Sequence, residues 1–243
     1  MVGWCRHAGV TRAVRHSGPV RIPTRRLSRF DSWWWDAALV AVLALITVLA
    51  ARGVTAGLDL GVRDWVQSHQ PTWAHVIARA LNYLGQGWLV MWIITGSLTV
   101  TLLVRTRDLR VLLPGVTGFL LTYLTIGPLK LWTHRDAPSS GLPNAVELFN
   151  PLAVVYSNSY PSGHVVNAIV WWGVIVILAS RLWRLPPTLV RWMRVAPPAI
   201  VLCTTTYLSH HWVTDGLAAL ALGLLLDRII HRIDWDAILP PAR

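Results

Sequence analysis

Lysine, glutamate and cysteine are almost missing from this chain. Of its 243 residues, one is lysine (Lys130, among 22 basic residues), one is glutamate (Glu147, among 11 acidic ones) and two are cysteine. Cys5 lies in a polar N-terminal segment and Cys203 within an apolar run, and neither sits in a CxxC or zinc-type spacing, so a disulfide scaffold and a structural zinc site are excluded. Charge of either sign is scarce, at 14% of residues, where a soluble domain carries about 25%. Hydrophobic residues make up 54%, and the mean hydropathy is +0.48. The low hydrophobicity of disordered chains and the glycine period of collagen are both lacking. A membrane protein is the class that remains.

Charge-free apolar stretches run over 37–51, 88–104, 111–129, 165–180, 195–209 and 213–226. Several fall short of the roughly 20 residues that cross a bilayer untilted, but Trp, Tyr, Gly or His at their ends can lengthen them. Trp33 to Trp35, Trp88, Trp183, Trp192 and Trp212 cluster where interfacial aromatic belts are expected. The expected fold class is therefore all-α, a polytopic bundle of six transmembrane helices. A basic tail (1–32) precedes the membrane domain (33–230), and a short tail (231–243) follows it.

The net charge of +11 raises nucleic-acid binding, and the distribution of the charge argues against it. Seven arginines precede the first apolar run, and the alternate connections raise that side to 17 basic residues, against five in segments 52–85 and 130–163. By the positive-inside rule the larger count marks the cytoplasm. Both termini are then expected inside a cell membrane, with membrane lipids rather than nucleic acid as partners. Nothing in the sequence specifies an oligomeric state. Residues 60–84 mix Val62, Trp65, Val66, Trp73, Val76, Ile77 and Leu81 with polar side chains and read as an amphipathic helix at the outer surface. Residues 130–163 form the longest polar connection.

Three features of the outward segments bear on chemistry. Lys130 stands at the outer end of the third run, where it is either a snorkelling lysine or a point charge for a phosphate oxygen. Tyr160-Pro161-Ser162-Gly163-His164 precedes the fourth run. Proline is favoured in a first helical turn, so Ser162, Gly163 and His164 are expected at a helix N-terminus, whose free amides and dipole form an anion site. A plain Ser/Gly cap is the alternative. Ser209-His210-His211-Trp212-Val213-Thr214-Asp215 opens the sixth run, with His211 and Asp215 at i and i+4 on one face. A carboxylate on one ring nitrogen leaves the other free as nucleophile or base; simple capping is again the alternative. Asp136 and Glu147 read as solvated loop carboxylates, with a head-group contact as the other possibility.

In order, Lys130-Leu-Trp-Thr-His134-Arg135-Asp136-Ala137-Pro138, Pro161-Ser162-Gly163-His164 and Thr204 to Asp215 resemble the motifs of the type 2 phosphatidic acid phosphatase (PAP2) superfamily. The resemblance covers the third to sixth runs. A site at the outer membrane interface, where the charge count puts these motifs, meets amphiphiles laterally, so a lipid phosphate substrate is expected: a polyprenyl phosphate or diphosphate, with phosphatidate or phosphatidylglycerol phosphate behind it. The resemblance implies His211 as nucleophile forming a phosphohistidine, Asp215 as its orienter and His164 as general acid. Lys130, Arg135, Ser162 and the Gly163 amide would hold the phosphoryl oxygens. No cofactor or metal is implied, because cations and amides supply the charge stabilisation. Two motif arginines are replaced, by Ala137 and Thr205, which leaves Lys130 and Arg135 as the fixed cations, with partial charge from His134 and His210. A phosphotransferase using an alcohol acceptor and a non-catalytic lipid-phosphate binder stay open beside a hydrolase.

Overall fold

In the computed structural model the described residues are 33–142, 144–153 and 158–241. The basic tail expected over 1–32 lies outside them. They form helices α1 (Trp33–Ala51), α2 (Ala56–Ser68), α3 (Thr72–Asn82), α4 (Gly96–Thr106), α5 (Leu113–Thr133), α6 (Gly163–Leu182), α7 (Pro187–Tyr207), α8 (Val213–Arg232) and the short α9 (Trp235–Ile238), with no strand among them. A π-helical segment, Trp88–Thr95, runs directly into α4, and in its wide turns the Thr95 hydroxyl donates to the Val90 carbonyl at 2.7 Å. Four helical stretches, Trp33–Ala51, Trp88–Thr106, Leu109–Thr133 and Gly163–Leu182, are long and apolar enough to cross a membrane.

α6 is the central element, because its Val, Ile and Trp side chains are apolar all round. Val165, Val166, Val170, Trp171, Val174 and Leu178 are buried against α5, α7, α8 and the π segment. Close approach to α8 depends on Gly223: a Cβ there would meet Ile169 at 2.7 Å. The outward faces of α1, α4 and α5 expose Val40, Leu45, Val104, Leu120 and Leu124, as lipid contact requires. At the end where the chain begins, Asp36 in the first turn of α1 pairs with Arg228 (2.8 Å) and Arg232 of α8.

Two expectations are corrected. The amphipathic stretch 60–84 is two helices, because Pro71 cannot donate the amide that a continuous helix would need. Pro161 lies before α6 rather than in its first turn; Ser162 is the N-cap and Gly163 opens the helix, after a cis Tyr160–Pro161 peptide.

Candidate active site

At one end of the bundle, the C-terminus of α5 and the N-termini of α6 and α8 converge on a cavity of about 540 Å³. Its walls include Lys130, Gly163, His164, His210, His211, Ser159, Asn158, Asp136 and Ala137, together with Gly85, Gln86, Gly87 and Asn167.

Backbone bonds bring the pieces together. The Ser162 amide donates to the Asp215 carbonyl at 3.1 Å, tying the start of α6 to the first turn of α8. The Thr205 carbonyl accepts the amides of His210 (3.0 Å) and His211 (3.3 Å), so the turn after α7 folds back and aims both rings at the cavity. Ser209 completes that turn with a left-handed backbone, φ +53°. Trp212, 1% exposed, anchors the entry to α8, its indole N–H donating to the Asp136 carbonyl at 2.8 Å.

His211 Nδ1 lies 2.8 Å from the Ser159 carbonyl oxygen and 3.5 Å from Asp215 Oδ2. With its proton on Nδ1 the ring presents a free Nε2, and that atom faces His164 Nδ1 at 3.4 Å. Asp215 is fully buried and accepts from the Trp212 amide (2.9 Å), the Ser159 hydroxyl and Arg135 (2.6 Å). The Lys130 ammonium donates to the Asn158 carbonyl, and its stem lies against Gly163. Partial burial, and then the positive fields of His211, Arg79 and His75, push His210 below the ordinary histidine value.

The sequence model of the PAP2 superfamily matches residues 112–239, more than half of the chain. The chain belongs to the PAP2 superfamily. A crystal structure of a transmembrane PAP2-type phosphatidylglycerolphosphate phosphatase from Bacillus subtilis superposes with a TM-score of 0.61 at 22% identity, covering 84% of this chain and 98% of that one. No curated protein matches at a significant level. The fold is thus that of PAP2-type membrane phosphatases, in a multi-pass membrane protein.

Against the PAP2 motifs, Lys130, Gly163, His164 and His211 meet at the cavity, with Asp215 directly behind His211. Arg135 does not join its wall: the guanidinium is 1% exposed, and it bonds Asp59 (2.6 Å), Asp215 (2.6 Å), the Thr214 hydroxyl (2.7 Å) and the Val146 carbonyl (2.9 Å). Two carboxylates already neutralise its charge. The Ser162 hydroxyl is buried without a hydrogen-bond partner and also lies off the wall. His134 caps α5, away from the cavity. Thr205 is buried, its hydroxyl turned back onto the Val201 carbonyl at 2.8 Å. Asp136 is not a solvated carboxylate; it is 2% exposed and lies within 3.3 Å of the Asn150 amide. Glu147 is exposed and off the cavity.

Sequence reasoning missed Asp59, Ser159 and the strap 85–87. Asp59 caps α8 from α2, accepting the Thr214 amide (3.1 Å) and hydroxyl (2.6 Å). Ser159 acts through its carbonyl on His211 and its hydroxyl on Asp215, and no spacing in the sequence ties it to either.

Proposed function

We propose that this chain is a membrane phosphatase that hydrolyses a phosphomonoester or diphosphate of a lipid through a phosphohistidine. The observation that carries this reading is the meeting of His211 Nε2 with His164 in a cavity floored by Lys130 and the amides that open α6. His211 Nε2 attacks the terminal phosphorus as its bond to the leaving oxygen breaks, that of the lipid alcohol in a monoester or of the lipid monophosphate in a diphosphate, and His164 donates its proton to that oxygen. Water then attacks the phosphohistidine with His164 as base, releasing inorganic phosphate and restoring His211. As the ring becomes cationic, the Ser159 carbonyl and the Asp215 carboxylate stabilise it. Lys130 and the Gly163 amide hold the phosphoryl oxygens.

Six spans follow if α7 and α8, of 21 and 20 residues, cross beside α6. With 17 basic residues on one side and five on the other, the termini are cytoplasmic and the cavity faces outward, where amphiphiles arrive laterally. A polyprenyl phosphate or diphosphate, or a phosphatidate, fits such a site.

The test is phosphate release in lipid nanodiscs from these three lipids with EDTA present. Full turnover is expected for the parent chain, none for His211→Ala with folding retained, and partial loss for Asp215→Asn. Retained turnover in both variants would remove the assignment.

A further inference from the structure

Lys130 is the one fixed cation among the described residues lining the cavity, since the Arg135 charge is held by Asp59 and Asp215. A single ammonium is little positive charge for a multiply charged phosphate ester. More stands beside the cavity, on α3. Trp73, Val76 and Ile77 expose one face of that helix, whereas Ala78 and Asn82 are buried on the other. The buried face crosses the last turn of α7: the Thr204 hydroxyl donates to Asn82 Oδ1 at 3.2 Å, and before α3 the Gln70 amide reaches the Tyr207 carbonyl. From Tyr207 the chain turns through Ser209 into His210 and His211.

His75, Arg79 and Asn82 follow one another at spacings of four and three residues and so share a face. Arg79 and His75 thereby come alongside the turn, where both act electrostatically on His210. No carboxylate among the described residues pairs with Arg79. The His210 ring lines the cavity, 6.1 Å from that of His164. Lys130 thus stands at one end of a row of imidazole donors and Arg79 beside the other, and a space of about 540 Å³ holds more than one phosphoryl group.

We propose that Arg79, with His75 and His210, forms an outer anion subsite that receives the lipid-linked phosphoryl group of a diphosphate ester, which leaves as the lipid monophosphate, while the terminal group to be transferred sits between His211 and Lys130. This rests on the phosphatase reading and makes lipid diphosphates its preferred substrates over the matching monophosphates. The guanidinium provides a paired donor fork for the outer phosphate, and the two imidazoles add single donors.

Binding is measured by calorimetry in nanodiscs on the His211→Ala chain, with inorganic pyrophosphate and inorganic phosphate as probes. Arg79→Gln is expected to weaken pyrophosphate about tenfold and phosphate by no more than about twofold. Arg79→Lys should recover part of the loss. Arg52→Gln, which removes an outer-surface arginine away from the cavity, should change neither. Equal loss for both probes, or loss for neither, overturns the subsite. In the active chain, Arg79→Gln should raise KM for a lipid diphosphate about tenfold with kcat kept, and leave KM for the matching monophosphate unchanged. If the parent chain turns over neither lipid yet binds pyrophosphate through Arg79, the phosphatase reading fails and the subsite stands. Turnover with KM and affinity insensitive to Arg79 removes the subsite and leaves the phosphatase.

Discussion

Arg135 and His210 exchange the roles that their sequence positions suggest. Arg135 follows Lys130 in the first motif as though to bind phosphate, yet it is enclosed by Asp59, Asp215, Thr214 and the Val146 carbonyl, with the Trp212 ring 5.4 Å from its guanidinium carbon. Removing one partner of a buried pair leaves charges uncompensated, at a cost of about 3–5 kcal/mol. Arg135→Met should therefore lower the melting temperature of the detergent-solubilised protein sharply; an unchanged melting temperature with reduced turnover would make Arg135 a phosphate ligand instead. His210 lies at the mouth with its pKa depressed, so the folded state binds fewer protons there than the unfolded one. Its contribution to stability is complete above the ordinary histidine value of about 6.5 and is lost as pH falls below it. The melting temperature should drop less between pH 7.5 and 5 in His210→Gln than in the parent. Parallel curves for the two proteins would count against the depressed pKa.

Among the elements, the strap between α3 and the π segment matters more than its three residues suggest. Gly85 lies against the start of α6 and the side of α7: a Cβ there would come within 2.6 Å of the His164 carbonyl oxygen and 2.7 Å of Val201 Cγ1. Since the first contact is backbone, relief requires moving either the strap or the turn that carries His164. Gly85→Ala should cut turnover at least about tenfold and destabilise by roughly 1–3 kcal/mol, as overpacking does; unaltered kinetics would mean that the strap yields freely. The residue pattern made α6 legible as an apolar span, without its central burial, and it carried the amphipathic character of α2 and α3 too. It did not convey that Pro71 divides that stretch, that Asp59 is buried and caps α8, or that the strap reaches the cavity. Those depend on where α7 and α8 stand.

For the whole molecule, the charge asymmetry predicts an orientation that the two cysteines can report. Cys5 lies in the basic tail and Cys203 is exposed on α7. In a Cys203→Ser chain in intact cells, a membrane-impermeant thiol reagent should label Cys5 only after the membrane is opened; labelling of intact cells would invert the topology. Composition and apolar runs by themselves determined the helical class and the membrane setting, because burial in lipid selects residues by local hydrophobicity alone. The spacing of Lys130, Pro161 to His164 and His211 to Asp215 likewise identified the family, since each group lies within one or two helical turns. Only the tertiary structure decided that Arg135 is occupied, that Ser159 and Asp59 support the histidine and the α8 terminus, and that Arg79 stands beside His210. The physical reason is that each of these depends on the proximity of residues more than 50 positions apart, in direct contact around Arg135, Ser159 and Asp59 and through the electrostatic field at Arg79, which the packing of α2, α3, α7 and α8 creates and no local pattern encodes.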